Sequence, residues 1–410
     1  MMKKFKQTLF CSAALLSVSA LGSTSVEAEA TTEVQQVETT YLTMSSEPLL
    51  MIPETFPSQF KYDSGVDIPY PEDGVKGIFL TANSAGGSRM ESLIDLMNRT
   101  ELNSMVIDVK DDYGDITMPI DSDHELIAEN TRNWVDPEQL MPQLEENGIY
   151  PIARIVVFKD NNLAKERPDL SFTHTDGSVW TNRAGHAFVN PFMKEVWDYN
   201  IEVAKQAAKL GFKDIQFDYV RFPEGFELRD DDVIYSREDY EGSDLDNVKQ
   251  RVEAVTDFVA YARRELEPFD VDVSVDIFGY AATIEEAPGI GQNFSRISEN
   301  VDVISSMIYP SHWGPGSLGI AKPDLEPYNV VARYMEYENE VLGNLGEDAP
   351  VSRPWIQDFT ASYLGSGWYK RYGAQEVEDQ IRALNEYGVN EFLLWNAGNS
   401  YSESAQYSFD

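Results

Sequence analysis

Gly211-Phe-Lys-Asp-Ile-Gln-Phe-Asp-Tyr-Val-Arg-Phe-Pro223 holds a helix stop, an apolar strand and one isolated carboxylate in thirteen residues. Gly211 is predicted to take the left-handed conformation that ends the helix before it. Beyond it Ile215, Phe217 and Tyr219 alternate with Gln216, Asp218 and Val220, so one face of the strand is apolar and the other carries Gln216 and Asp218. In a parallel sheet the apolar face packs on helices. An acid on the opposite face, close to the carboxyl end, then calls for a function such as catalysis or sugar binding. The alternative is a buried acid paired for structure with Arg221 or with a neighbouring strand.

The pattern recurs on both sides of this stretch. Apolar strands are predicted at 75–82, 104–110, 150–158, 214–221, 271–279, 301–309, 352–358 and 390–396, with amphipathic helices between them. Asp136-Pro137 and Asn190-Pro191 read as helix caps followed by first-turn prolines, and Gly148, Gly211 and Gly388 stand where helices must stop. Eight alternating strand-helix units over about 330 residues predict a single α/β domain, a closed (β/α)8 TIM barrel, in preference to an open doubly wound sheet. The longest loops, about 159–190, 222–246 and 311–325, all follow strands, which places the functional face at the carboxyl ends. Thr81-Ala-Asn-Ser-Ala-Gly-Gly-Ser88 lacks the G-x-G-x-x-G spacing of a dinucleotide site, and no cofactor is expected.

Outside the barrel the chain changes character. Lys3, Lys4 and Lys6 precede an apolar run from Leu9 to Leu21, and Val26-Glu27-Ala28 offers a small-residue cleavage site, so residues 1–28 read as a secretory signal peptide. Cys11, the only cysteine, lies within it, which removes disulfide and thiol chemistry from the mature protein. Residues 29–73 form an exposed, mostly irregular leader, 74–402 the barrel and 403–410 a tail. No later stretch reaches the roughly 20 apolar residues that span a bilayer. The net charge of −38 disfavours nucleic acid and anionic surfaces as partners, and four scattered histidines argue against zinc. A carbohydrate is the expected partner, outside the cell or in its envelope.

Two further strands repeat the arrangement around Asp218. In Met105–Gly114, Asp108 and Lys110 alternate with Ile107 and Val109; in Val271–Gly279, Asp272, Ser274 and Asp276 alternate with four aliphatic residues. Asp276 is predicted at the height of Asp218 one strand away, where neighbouring strands are roughly 4.8 Å apart and two carboxyls can reach the separations of about 5 to 9 Å used in glycoside hydrolysis. Asp358 is a third strand-end acid, although its parity opposes that of Trp355 and Gln357. Arg154, Lys159, Arg221, Tyr309, His312, Trp313, Trp395 and Asn396 fall at or just beyond strand ends, where aromatic faces stack on sugars and Arg or Asn donates hydrogen bonds. Each aromatic also has a core alternative, and Arg154 a structural one as the counter-ion of Asp108.

The ordered motifs Val-Ile-Asp-Val-Lys-Asp-Asp (106–112), Ala-Arg-Ile-Val-Val-Phe-Lys-Asp (153–160), Ile-Gln-Phe-Asp-Tyr-Val-Arg-Phe-Pro (215–223), Val-Asp-Ile-Phe-Gly-Tyr (275–280), Met-Ile-Tyr-Pro-Ser-His (307–312), Arg-Pro-Trp-Ile-Gln-Asp-Phe (353–359) and Leu-Leu-Trp-Asn (393–396) resemble the bacterial putative glycoside hydrolase domain family. The likeness covers about 75–400. That family is distantly similar to the α-amylase clan of barrels, and the resemblance implies a nucleophilic role for Asp218, an acid role for Asp276 and a stabilising role for Asp358. The clan usually has Glu as the acid and an Arg two residues before the nucleophile; this chain has Asp276 and Gln216.

Together these readings predict a secreted glycoside hydrolase with Asp218, Asp276 and Asp358 as catalytic acids. Asp108, Lys110, Arg154, Arg221, Tyr309, His312, Trp313, Trp355, Gln357, Trp395 and Asn396 are the predicted substrate contacts. The alternatives are a barrel that binds glycan without cleaving it and, more weakly, chemistry assisted by a divalent cation at Asp108, Asp111 and Asp112.

Overall fold

Strand β4, Asp214–Asp218, adopts the parity its sequence dictates. Phe217 points to the helical layer and meets Phe258 edge-on at 5.5 Å between ring centroids, a burial contributing about 1.5–3 kcal/mol. The computed structural model describes residues 60–409; the expected signal peptide and the first part of the leader lie outside them. Around β4 stand β1 Lys76–Leu80, β2 Ser104–Lys110, β3 Tyr150–Val156, β5 Asp272–Phe278, β6 Val303–Met307, β7 in two pieces at Val351–Ser352 and Trp355–Gln357, and β8 Phe392–Trp395. Each pairs in parallel with its sequence neighbour, and β8 returns to β1 through Lys76↔Phe392 and Ile78↔Leu394, which closes the (β/α)8 barrel. The break in β7 falls at Arg353-Pro354. Pro354 has no N–H to give the ladder, although its carbonyl still accepts from the amide of Leu393 at 2.9 Å.

Helices α1 Arg89–Arg99, α2 Pro137–Glu146, α3 Lys194–Leu210, α4 Asn247–Leu266, α5 Phe294–Ser298, α6 Pro327–Leu345 and α7 Ala374–Glu386 follow the first seven strands in turn. The Asp136 side chain caps α2 by accepting from the amide of Glu138 at 3.0 Å, with Pro137 in the first turn. Gly211 ends α3 at φ 110°. Asn190-Pro191 does not cap α3, which starts at Lys194; Asn190 instead accepts from the amide of Phe192 at 3.1 Å and donates to the carbonyl of Ser236 at 2.7 Å, fixing the approach one turn earlier.

The two chain ends of the described region pack onto the barrel. On one side Ile68 is buried and Tyr70 donates to Glu391 at 2.5 Å, beside the amino ends of the strands. No helix follows β8 among the described residues. Instead the tail turns back, with Asn399 donating to the carbonyl of Phe79 at 2.8 Å and the Tyr407 ring fully buried. No described helix is long and apolar enough to cross a membrane.

Candidate active site

The carboxyl ends of β3, β4 and β5 bring three ionisable side chains together. Arg154 of β3 stands opposite Gln216 of β4, and Phe217 of β4 opposite Val275 of β5, so the next residue of each strand sets Asp218 beside Asp276 at one height. Arg154 is buried and donates through Nε and Nη2 to Asp218 Oδ2 at 3.0 and 2.6 Å. Its Nη1 reaches Asp108 Oδ1 at 2.6 Å, and both terminal nitrogens approach Asp112 Oδ2 at 3.3 Å. The guanidinium is flanked by the rings of Phe79 and Trp395 at 5.5 and 5.7 Å, which stack on each other at 4.3 Å. The other oxygen of Asp218 accepts from the backbone amide of Tyr219 at 2.6 Å. These are the partners that a carboxylate anion takes.

Asp276 has a different environment one strand away. It is 2 % exposed, and among the described residues its one hydrogen bond comes from Trp355 Nε1, at 2.7 Å to Oδ1. Burial first, and then the neighbouring charge of Asp218, push its carboxyl well above the ordinary 3.8; the Trp355 bond and Arg154 pull the other way and are outweighed. The neutral acid is therefore favoured at Asp276. Asp112, at the edge of the cluster, shows the opposite balance: burial raises it, but Arg154 together with Lys159, whose Nζ lies 2.8 Å from Oδ1, holds it at about 2. A buried carboxyl biased toward its neutral form beside one paired with a guanidinium is the arrangement that glycosidic bond cleavage uses.

Both acids open into a cleft of about 620 Å³. Tyr309, Trp313, Trp355 and Trp395 line it, as does Arg221, stacked at 4.7 Å on the rings of both Tyr219 and Phe278. His312 lines the same space; burial lowers its pKa, so the neutral ring is favoured, held at 4.9 Å from the Tyr309 ring. Gly279, just beyond β5, lets the end of β6 and the Trp313 ring come close: a Cβ there would lie 2.8 Å from the carbonyl of Met307 and 3.3 Å from the Trp313 ring.

A profile described as a putative glycosyl hydrolase domain matches residues 77–401. The chain belongs to that family. Membership places it among putative glycosyl hydrolase domains, and two solved structures agree in fold. It is 13 % identical to the PgaB (BpsB) glycoside hydrolase domain of Bordetella bronchiseptica, with a TM-score of 0.53 over 78 % of this chain and 94 % of that one. It is 12 % identical to a β-galactosidase from the psychrophilic Marinomonas ef1, with a TM-score of 0.54 over 81 % of this chain and 56 % of that one. A hypothetical protein from Ruminiclostridium thermocellum is 31 % identical, with a TM-score of 0.42 over 48 % of this chain and 96 % of that one. No curated protein matches the chain.

Of the residues expected from the sequence, Asp218, Asp276, Arg154, Arg221, Tyr309, His312, Trp313, Trp355 and Trp395 line the one cleft. Asp358 does not join them. Its two oxygens accept from the backbone amide and hydroxyl of Ser402, at 2.8 and 2.7 Å, so it anchors the tail. Asp108 stands behind Arg154, and Gln357 is buried between Asp324 and the amide of Ser311. Asn396 donates to the carbonyls of Asp358 and Ser400. Lys110, expected on the same face as Asp108, is fully buried with its Nζ 2.7 Å from Asp160 and 5.7 Å from the Tyr199 ring of α3. The register with β3 shifts between Asp108 and Lys110, and an irregularity there breaks the two-residue alternation. Tyr219 errs the other way: its φ of 53° ends the strand and brings a residue from the expected apolar face into the cleft. It is Arg154 of the adjacent strand, not residue 216, that brings a guanidinium to Asp218.

Proposed function

We propose that this chain hydrolyses glycosidic bonds of an extracellular or cell-envelope polysaccharide in the cleft between Asp218 and Asp276. The observation that carries this reading is the inequality of the two acids: neighbouring strand-end carboxyls, one charge-paired with Arg154, the other buried and biased toward its neutral form. Asp276 gives its proton to the glycosidic oxygen as the bond to the anomeric carbon breaks. Asp218 either takes the proton of a water that attacks that carbon, or attacks it directly to form a glycosyl ester that a water then cleaves, with Asp276 taking the water's proton. The Trp355 N–H stabilises the Asp276 anion left behind and is in place before the proton leaves. The aromatic wall offers faces for sugar rings, and export follows from the signal-like residues 1–28.

The test is a polysaccharide panel scored both for retention of the protein and for new reducing ends. Release of reducing ends by the wild type, abolished by Asp218→Asn and by Asp276→Asn, is the expected result. Retention with no product from any polysaccharide would instead make the barrel a glycan-binding protein.

A further inference from the structure

The cleft does not end at Arg221. A second lobe of about 630 Å³ adjoins it, and Tyr219, Arg221, Glu224 and Gly225 line both. The lobes differ in charge. Asp112, Asp218, Glu224, Glu227 and Asp276 line the first against Arg154 and Arg221, whereas Lys159, Arg183, Arg221 and Arg229 line the second against Glu224 alone. A chain with 70 acidic and 32 basic residues would not gather four cations around one anion by composition. Two of the four are already engaged, Lys159 with Asp112 at 2.8 Å and Arg221 with Glu224 at 3.3 Å and its flanking rings. The guanidinium groups of Arg183 and Arg229 have no hydrogen bond or ion pair with any described residue. They share the lobe with the buried rings of Trp180 and Phe188, so cation and apolar face lie in one sugar-sized space.

We propose that this second lobe binds an oxyanion carried by a sugar of the glycan, a carboxylate, sulfate or phosphate, through Arg183 and Arg229. The proposal rests on the reading of the cleft as a glycan site and narrows the substrate to acidic polysaccharides. Guanidinium groups suit it because their paired N–H donors match the oxygens of such groups.

Binding is measured by calorimetry on the full chain carrying Asp276→Asn. Four probes are used: an α-1,4-galacturonate hexamer, its carboxyl-reduced neutral counterpart, a sulfated galactan oligomer and a ribitol-phosphate oligomer. At least one anionic probe should bind at least about fivefold tighter than the neutral hexamer, the size of one or two partly screened ion pairs. Adding Arg183→Ala and Arg229→Ala should erase that difference, and the corresponding Lys variants should keep part of it; the probe that responds identifies the oxyanion. The proposal fails if no anionic probe binds, if the neutral hexamer binds as tightly, or if the Ala variants bind all four unchanged. Arginine-dependent binding with no cleavage by the wild type would sink the hydrolytic reading and leave this one standing. Cleavage of a neutral glycan that ignores both arginines would do the reverse.

Discussion

Arg154 and Arg353 sit at opposite ends of one barrel, each buried among carboxylates, and only the first itself lines a cleft. Around Arg353 every carboxylate oxygen has a partner. Its Nη1 meets Asp214 at 2.7 Å, its Nε meets Glu391 at 2.8 Å and its Nη2 meets Tyr70 at 3.1 Å. The second oxygen of Asp214 accepts from Ser274 and that of Glu391 from Tyr70, both at 2.5 Å. Around Arg154 the network stays open: four acids gather, Asp276 takes a single hydrogen bond, and Asp112, Asp218 and Asp276 line a cavity. The closed cluster holds strands β4, β7 and β8 in register at the amino ends. The open one leaves one carboxyl paired with a guanidinium and its neighbour buried with a single hydrogen bond, where a substrate can reach both.

The largest effect expected from this contrast is on turnover. Asp218→Asn or Asp276→Asn should lower kcat on a cleaved polysaccharide by on the order of 10³-fold or more and leave the circular dichroism spectrum unchanged. At the other end, Arg353→Met strands Asp214 and Glu391 as buried, uncompensated acids and should cost about 3–5 kcal/mol in urea unfolding, with activity per folded molecule retained. An Arg353→Met protein of normal stability and lost activity would break the comparison outright.

How far the sequence reveals these clusters depends on whether strand parity survives to the strand end. Parity alone locates Asp218 and Asp276, because β4 and β5 run without interruption through them. It fails at Lys110, where the register shifts, and at Tyr219, whose left-handed backbone reverses the face. Glu224, Glu227 and Tyr280 also line the cleft, yet they come from loops and short turns, where no period assigns a face. The Arg353 cluster escapes a sequence reading for a different reason. Its partners, Tyr70, Asp214 and Glu391, are separated by more than a hundred residues and meet only because the barrel closes. Asp214 and Ser274 do show the inward parity, but nothing in that pattern says which cation faces them.

Smaller effects separate the acids of the upper cluster from one another. Trp355→Phe removes the N–H that favours ionised Asp276, so the alkaline limb of the pH–rate profile should move up by about one unit, as expected for a hydrogen bond to a charged group. The stability of the folded chain carries the same signature. Asp276 ionises near 3.8 when unfolded and well above it when folded, so its contribution is fully present below about pH 4 and is lost as the pH rises through the folded value. Asp276→Asn, neutral throughout, should therefore gain in melting temperature over the wild type as the pH is raised. A difference that is flat with pH would show that Asp276 is ionised in the fold.

The smallest expected change is at Asp358, and it divides the resemblance from the geometry. If the acid assisted catalysis as the α-amylase comparison implies, Asp358→Asn would cost orders of magnitude in kcat. The structure directs both of its oxygens to Ser402, and burial, only partly offset by those bonds, raises its pKa. An Asn side chain keeps one acceptor for the Ser402 amide and loses the second, so about 1 kcal/mol of stability should go and kcat should stay within about threefold. Because the tail also covers the β1 carbonyl at Phe79 through Asn399, the loss should appear as faster amide exchange at 399–407, with exchange in β4 and β5 unaffected.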